Sequence, residues 1–287
     1  MPDTAAPAQR RVGATLGEAA AALAQLDEAS PRLEAELLLC QATGWPRTRL
    51  MAWPEQALSP PQAAAFDSLL QRRLSGEPIA YIRGHQSFWT LELRVSPATL
   101  IPRPETELLV ETALDLLPTS DALRVADLGT GSGAIAAAIA TERPGWQLIA
   151  TDLSAAALTL ARANFQALCP NSVVSVRTHW LTSLAADSLD AIVSNPPYIP
   201  AADGHLERGD LRFEPLDALS PGGDGLDAIR AILSDASRCL RQRGLIAVEH
   251  GFDQGAAVRQ LFRERGLRAI ETRRDLAGIE RVTLARR

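Results

Sequence analysis

From residue 123 onward, short apolar segments alternate with helical patterns, and this alternation restricts the fold more than any other feature. Segments such as LRVADLG, WQLIATD and LDAIVSN are bounded by glycine, proline or polar residues, as strands usually are. Between such segments, the spacing of apolar residues predicts helices at about 133–142, 154–168, 225–241 and 253–265. The alternation predicts a mostly parallel sheet covered by helices on both faces.

The last two predicted strands, LRAIETRR and RVTLARR, are separated only by DLAGIE. Because this connection is too short for a crossover, the two strands should pair antiparallel. We therefore predict an α/β fold with a doubly wound sheet that ends in an antiparallel hairpin.

A separate helical region precedes the sheet. From Leu16 to Gly76 the pattern is helical, with a serine followed by proline at Ser30 and at Ser59 as start signals and glycine at 44 and 76 as stop signals. The segment SFWTLELRVSPATLIP then alternates apolar and polar residues, as a strand or hairpin does. We predict a helical domain of about four helices at 1–85, a hairpin linker at 86–102 and the sheet domain at 103–287.

Composition and charge exclude several classes of protein. No apolar stretch approaches the roughly 20 residues that span a bilayer. The first twenty residues include Asp3 and Glu18 and lack an apolar export region, so we interpret them as a disordered start and predict a cytoplasmic protein. The 29 basic residues are all arginine, which rules out a phosphate-loop or Schiff-base lysine. Three cysteines and the spacing of the histidines predict neither a disulfide framework nor a metal site.

A glycine-rich turn follows the first strand of the predicted sheet. In DLGTGSG, Gly129, Gly131 and Gly133 stand between a strand and a helix, where glycine lets the backbone approach a ligand closely. Asp152 ends the next strand, where a carboxylate can accept both hydroxyls of a ribose. A turn without a ligand, and a helix-capping role for Asp152 that Ser154 could equally fill, are the structural alternatives. Together the two features favour a nucleoside cofactor.

The segment SNPPYIP closes a later strand at the same predicted edge of the sheet. Pro196 forces Asn195 into an extended conformation, so the asparagine side chain is held in one direction. The Asn195 oxygen and the Pro196 carbonyl could each accept a hydrogen from an incoming NH2 group, and Tyr198 could offer a flat wall. A rigid turn formed by Pro196 and Pro197 is the structural alternative.

A nucleoside cofactor beside a site for an NH2 group points to methyl transfer from S-adenosylmethionine. This reaction needs little acid-base catalysis, because the sulfonium leaving group becomes neutral and alignment in a dry pocket supplies most of the rate.

The chain also resembles a known family. DLGTGSG and NPPYI, preceded by LIPRPETE and followed by RFEPLDAL, GGDGL and AVEHG, are similar to motifs of the release factor glutamine N(5)-methyltransferases over about residues 15–287. The resemblance implies a helical N-terminal domain before a Rossmann-like class I methyltransferase domain. It further implies methylation of the side-chain amide of the glutamine in the Gly-Gly-Gln motif of class 1 peptide chain release factors, with S-adenosylmethionine as the cofactor.

By position, the resemblance assigns cofactor binding to the glycine turn, Asp152, an aromatic residue for the adenine, and the asparagine; these are Gly129, Thr130, Gly131, Ser132, Gly133, Asp152, Trp180 and Asn195. It assigns the substrate amide to Asn195, Pro196, Pro197 and Tyr198, with Asn195 and Tyr198 as the catalytic residues. Many family members have an acidic residue where this chain has His179, so the contact with the adenine amino group is in question.

Several roles stay open at this point. Arg103 and Glu105 in RPETE could open a helix or adjoin the site, and the roles of Glu214 and Glu249 are not indicated by the pattern. A methyltransferase acting on an adenine or cytosine amino group is the strongest rival, although the net charge of -5 lacks the basic excess of a nucleic-acid binder. A non-catalytic protein that only binds S-adenosylmethionine is the third hypothesis. We expect a monomer without direct nucleic-acid contacts.

Overall fold

The computed structural model describes residues 9–26, 30–119 and 122–287. These residues form two compact units. The first comprises the described residues up to Gly84 together with Glu207–Phe213, and the second comprises His85–Leu206 and Glu214–Arg287.

Helices make up the first unit, and five of them lie in its described part: α1 (Val12–Leu23), α2 (Pro31–Thr43), α3 (Arg47–Ala52), α4 (Pro60–Leu74) and α5 (Ile79–Arg83). The predicted start at Ser59 is a capping box, in which its side chain accepts from the Gln62 amide while the Gln62 side chain accepts from the Ser59 amide. Ser30 precedes α2 without a side-chain cap, and Gly44 ends that helix in the left-handed conformation, with φ of 70°.

The prediction of a disordered start is wrong for part of its range. Residues 1–8 lie outside the described residues, but α1 already begins at Val12. The amides of Val12 and Gly13 donate to the carbonyls of Gln56 and Pro54, at 3.0 and 2.8 Å, so pairing with a later segment orders this stretch. No local sequence signal marks that pairing.

A buried arginine links the first unit's two chain segments. The side chain of Arg73 is only 4% exposed, and its guanidinium donates to Glu34 at 2.7 Å and to Asp210 at 3.0 Å. Asp210 lies in Glu207–Phe213, which follows the NPPY segment in the chain. A buried guanidinium requires such partners, and the sequence alone did not indicate that this segment belongs to the helical unit.

The second unit begins with a hairpin of β1 (His85–Phe88) and β2 (Leu91–Arg94), which pair antiparallel through a turn at Trp89 and Thr90. Its further strands are β3 (Arg124–Leu128), β4 (Gln147–Asp152), β5 (Val173–Arg177), β6 (Leu189–Ser194), β7 (Leu240–Glu249), β8 (Arg268–Arg274) and β9 (Glu280–Arg286). Its helices are α6 (Glu107–Leu116), α7 (Ala134–Glu142), α8 (Ala155–Leu168), α9 (Leu216–Leu219), α10 (Asp227–Cys239) and α11 (Gly255–Glu264).

The strands β3 to β9 form one sheet with the order β5-β4-β3-β6-β7-β9-β8. Neighbours from β5 to β7 are parallel, whereas β9 is antiparallel to both β7 and β8. The predicted α/β class and the antiparallel end of the sheet are confirmed. One strand is longer than expected, because β7 begins at Leu240 and not at Leu245, with Arg243 at φ of 64° inside it.

Helices cover the sheet on two faces. One core packs Val125 and Ala191 with the alanine-rich helix α7, which is buried over most of its length, and the other packs Ala126 and Ile192 with α10 and α11. The strand order reverses between β3 and β6, so that the connections after these strands diverge from each other. This reversal opens a crevice at the carboxyl ends of β3 and β6, where open α/β sheets bind ligands.

Candidate active site

A cavity of about 750 Å³ lies at this crevice, and its described lining belongs entirely to the second unit. The lining comes from residues 98–106, the loop after β3, the end of β4, the loop after β5, the NPPY segment and residues 215–231. A cavity of this size is within the range of small-molecule and cofactor sites.

The glycine turn forms one wall of the cavity. Gly129 and Gly131 both line it and have φ of 69° and 56°, in the left-handed region that other residues rarely adopt. A Cβ on Gly129 would also lie 3.2 Å from the ring of Trp180. Gly133 differs, since it is not among the described lining residues and a Cβ there would meet Phe165 at 2.6 Å. The lack of a side chain at position 133 lets α7 pack closely on α8.

Asp152 stands at the rim, at the end of β4. One carboxylate oxygen accepts from the Gly131 amide at 3.0 Å and the other from the Ser154 amide at 2.8 Å. The Ser154 hydroxyl caps α8 by accepting from the Ala157 amide, so the capping role considered for Asp152 is taken by Ser154. Each Asp152 oxygen keeps lone pairs for a ligand that enters the cavity.

Asp127 holds the glycine turn and the start of the following helix through hydrogen bonds. The sequence analysis did not identify this residue. Its Oδ2 accepts from the Thr130 hydroxyl at 2.6 Å and from the Ala136 amide at 3.2 Å. Burial raises the pKa of this carboxyl to about 7, against the opposing effect of those two donors. An acidic residue inside the apolar strand VADLG was the signal that could have revealed it.

Two aromatic side chains come from the loop after β5. Trp180 and His179 both line the cavity, and their rings pack edge to face with centroids 5.9 Å apart. Trp180 has a φ of 47°, so the backbone turns sharply at the residue that presents the indole beside Gly129.

Asn195 follows β6 and lines the cavity together with Pro197. Its side-chain nitrogen donates to the hydroxyl of Thr106 at 2.9 Å. Because that contact engages the amide nitrogen, the side-chain oxygen remains as the acceptor of Asn195. Thr106 belongs to the RPETE segment, whose place beside the site was left open by the sequence.

Tyr198 has a different environment from Asn195. The described lining of the cavity includes neither Tyr198 nor Pro196. The Tyr198 hydroxyl donates to Glu249 at 3.3 Å, and its carbonyl accepts from the Gln254 side chain at 2.9 Å. Burial and the nearby Glu249 raise the pKa of the phenol. These contacts anchor the NPPY segment, and a direct contact of Tyr198 with a substrate stays a prediction.

The structure shows the environment of the acidic residues whose roles the sequence left open. Glu249 ends β7 and is 1% exposed, and burial raises the pKa of its carboxyl to about 7. Glu214 is also buried; it accepts from the Ile101 amide at 2.9 Å and pairs with Arg103, which lines the cavity. Glu105 is exposed at the 3-10 turn that opens α6.

The arrangement combines two chemical capabilities. The glycine turn, Asp152 and Trp180 could hold a nucleoside, whose ribose hydroxyls would meet a carboxylate and whose base would meet an aromatic ring. Asn195 presents an oxygen acceptor to a planar NH2 group in the same cavity.

Among the described residues, there is no cluster of histidine, cysteine or carboxylate side chains that could hold a metal ion. Nor does any helix in the described ranges have the length and apolar character to cross a membrane.

Comparisons with known proteins bear on both units. A family model described as PrmC N-terminal domain matches residues 14–84, and one described as Methyltransferase small domain matches residues 104–209. A release factor glutamine methyltransferase of Pseudomonas aeruginosa is 52% identical over 90% of this chain and 93% of its own length. The protein of the same name from Escherichia coli K12 is 47% identical over 92% of this chain and 96% of its length. A methyltransferase structure from Pyrococcus furiosus, 16% identical, covers 77% of this chain and 98% of its own with a TM-score of 0.52, which indicates a shared fold.

Proposed function

Since this chain belongs to the release factor glutamine methyltransferases, we propose that it methylates the side-chain amide nitrogen of a glutamine in a peptide chain release factor. The methyl donor in this proposal is S-adenosylmethionine, and the glutamine is that of the Gly-Gly-Gln motif of class 1 release factors. One observation carries the proposal: the Asn195 oxygen is left as an acceptor in the cavity that the glycine turn and Asp152 also line.

The residues of the site fit S-adenosylmethionine. Gly129 and Gly131 would lie along the methionine and ribose part, Asp152 has lone pairs for the ribose hydroxyls, and Trp180 would contact the adenine. When bound, the cofactor supplies an electrophilic methyl group on a sulfonium. His179 also lines the cavity, and its imidazole would meet the edge of the base where many family members have an acidic residue.

The chain's own residues would position the amide. Asn195 Oδ1 and the Pro196 carbonyl would each accept one N–H of the glutamine side chain, which aligns the nitrogen with the methyl group. The prolines on either side limit the motion of these acceptors. The mostly apolar walls of the cavity would limit the access of water to a bound amide, which would strengthen the two hydrogen bonds and disfavour side reactions.

The helical unit would contribute to recognition of the protein substrate. A single amide provides too little contact area to select one protein, so a second surface is required. Met51 and Trp53 are 64% and 60% exposed at and just after α3, and large apolar side chains of this kind are suited to protein contacts. A monomer, a cytoplasmic location and the domain limits 1–85, 86–102 and 103–287 remain predictions.

The decisive experiment is peptide mass spectrometry of an unmethylated class 1 release factor after incubation with this protein and S-adenosylmethionine. One added methyl on the Gly-Gly-Gln glutamine, lost with Asn195→Ala, is the expected result. If a preparation that binds the cofactor adds no methyl, the proposed substrate is wrong. Activity on an adenine or cytosine amino group in a parallel assay would then favour the nucleic-acid rival, and inactivity on both would favour the binding-only hypothesis.

A further inference from the structure

We propose that Gln254 is a positioning residue for methyl transfer, which holds the Tyr198 end of the NPPY segment and thereby sets the direction of the acceptors at its other end. This inference rests on the proposed function, because it concerns the acceptors for the glutamine amide. Gln254 directly precedes α11, three residues beyond the AVEHG motif, and the sequence indicated no role for it.

Contacts from three remote parts of the chain meet at Tyr198 and Ile199. The carbonyl of Leu219, the last residue of RFEPLDAL, accepts from the Ile199 amide at 3.0 Å. Gly225 of GGDGL lies so close that a Cβ there would be 2.3 Å from the Tyr198 carbonyl oxygen. The side chain of Gln254 donates to the same carbonyl at 2.9 Å. The end of the NPPY segment is therefore held by residues that follow it at a distance in the sequence.

The orientation of the Gln254 side chain is fixed by two neighbours of opposite kind. Its Oε1 accepts from the Gly251 amide at 2.9 Å, and its Nε2 donates to the Tyr198 carbonyl. A backbone amide only donates and a carbonyl only accepts, so reversal of the side-chain amide would break both hydrogen bonds. Gln254 is 9% exposed, and an unpaired polar group at a buried position is costly. The side chain is therefore held in one orientation.

The loop that carries Gln254 is attached to the sheet. The Gly251 carbonyl accepts from the Gln254 amide at 3.0 Å, which closes a tight turn. The His250 ring bonds the same carbonyl through Nδ1 and the Thr283 hydroxyl through Nε2, at 2.9 Å each. Thr283 lies on β9, which pairs with β7. The donor to Tyr198 therefore comes from a loop that is fixed to the sheet.

This end of the segment matters because the prolines do not fix the acceptors completely. Pro196 precedes Pro197, and a residue before proline keeps a range of about 40° in ψ. With a C=O bond of about 1.2 Å, the Pro196 oxygen would move by roughly 0.7 Å over that range. The bond of Asn195 to Thr106 holds one end of the segment and Gln254 holds the other, which removes this freedom.

The first test compares two substitutions of Gln254 with the same change elsewhere on the helix. Gln254→Met removes both side-chain hydrogen bonds, whereas Gln254→Glu keeps an acceptor for the Gly251 amide and removes the donor to Tyr198. The control is Gln260→Glu, because Gln260 lies on α11 and its side chain bonds only exposed neighbours on that helix. Measured for each variant are kcat, KM for a release factor, affinity for S-adenosylmethionine and Tm.

A second test displaces the Tyr198 carbonyl from its other side. Gly225 and Gly222 have φ of 83° and 96°, so alanine strains the backbone at either position. A Cβ at 225 would meet the Tyr198 carbonyl, whereas the atom that a Cβ at 222 would meet is Asp227 Oδ2, at 3.8 Å. Comparison of Gly225→Ala with Gly222→Ala therefore separates the effect of moving Tyr198 from that of backbone strain.

We expect Gln254→Met, Gln254→Glu and Gly225→Ala to lower kcat about 10- to 100-fold, because misplacement by about 1 Å has an effect of this size. Affinity for S-adenosylmethionine should change little in all three. Gln260→Glu should behave as wild type, and Gly222→Ala should keep most of the turnover. Because Gln254 and Gly225 act on one carbonyl, the double variant Gly225→Ala/Gln254→Met should lose little more than Gly225→Ala alone.

Wild-type turnover in Gln254→Glu would overturn the inference, because the role of Gln254 would then be confined to the turn at Gly251. Equal turnover in the two glycine variants would also overturn it, as would a loss of cofactor affinity that parallels the loss of kcat. If Gly225→Ala is not folded, the comparison of Gln254→Glu with Gln260→Glu still decides the question. The proposed function fails separately, when the unchanged protein adds no methyl to the release factor.

Discussion

The hydroxyl of Ser194 donates to the carbonyl oxygen of Leu128 at 2.7 Å, across the carboxyl ends of two neighbouring strands. Ser194 and Leu128 are also partners in the parallel register of β3 and β6. The residues that follow them, Asn195 and Gly129, both line the cavity. This pair therefore brings together the acceptor for the substrate amide and the wall assigned to the cofactor, although 66 positions separate them.

Asn195→Ala should reduce turnover far more than cofactor affinity. The substitution removes the side-chain acceptor of the substrate amide, and loss of one group that is aligned with the reacting atoms typically costs about 10²–10³ in kcat. Single-turnover methylation and a direct measurement of S-adenosylmethionine binding would separate the two effects. If cofactor binding is lost and the chemical step is preserved, the assignment of the two sites is reversed.

Asp152→Ala should have the opposite effect. It removes a carboxylate that is held by the Gly131 and Ser154 amides and is available to ribose hydroxyls, so the affinity for S-adenosylmethionine should fall tenfold or more, about 1.4 kcal/mol. With saturating cofactor, kcat should recover most of its value. Calorimetric titration of the two variants side by side provides the comparison, and unchanged affinity would remove Asp152 from the cofactor site.

Gly133→Ala should destabilise the protein more than Gly131→Ala does. Both positions have positive φ, but a Cβ at 133 would meet the Phe165 ring at 2.6 Å, whereas nothing lies within 4 Å at 131. Strain from the backbone and from overpacking together should cost about 2–4 kcal/mol at 133. Thermal unfolding of the two variants tests this difference, and a similar Tm would show that Phe165 moves aside without penalty.

Stability should decrease as pH rises from about 4 to about 7, in part because of Asp127. Burial raises the pKa of this carboxyl from its usual 3.8 to about 7, so the folded state keeps a proton that the unfolded state loses. The contribution is present below pH 4 and is lost as pH approaches 7. Asp127→Asn should flatten the dependence of the free energy of unfolding on pH over this range. Denaturant titrations at pH 5 and 7.5 measure it, and an unaltered slope would contradict the role given to Asp127.

Met51→Ser/Trp53→Ser should raise KM for the release factor without changing cofactor affinity. These exposed apolar side chains are proposed to contact the protein substrate. Because both are exposed to water, their replacement by serine should not affect folding. Val174→Ser is a matched control, since Val174 is 64% exposed on β5 of the second unit. Steady-state kinetics with the intact release factor and with a short Gly-Gly-Gln peptide would test the idea. An equal effect on both substrates argues against a docking surface.

Much of the fold was predictable because it depends on local periodicity. The strands β3 to β6 and the helices that follow them lie within a few residues of their predicted limits, since buried strands and amphipathic helices have characteristic spacings. The start of β7 was missed because Arg241, Gln242 and Arg243 are polar and exposed, and only Leu240 of this stretch is paired with β6, opposite Leu189. The grouping of Glu207–Phe213 with the helices of the first unit was not predicted, because its anchor, the ion pair of Asp210 with Arg73, leaves no local pattern.

The sequence alone determined the chemical groups of the site, because glycine in a strand-to-helix turn, an acid at the next strand end and an asparagine before proline each restrict the backbone locally. Only the tertiary structure decided their partners. Thr106, whose hydroxyl accepts from the Asn195 side chain, is 89 positions away in the chain, and parallel pairing of β6 with β7 brings Glu249 to the end of the sheet where Asn195 follows β6. Hydrogen bonds between remote residues depend on the geometry of the whole sheet, and for that reason Glu249 and Thr106 gave no signal in the sequence.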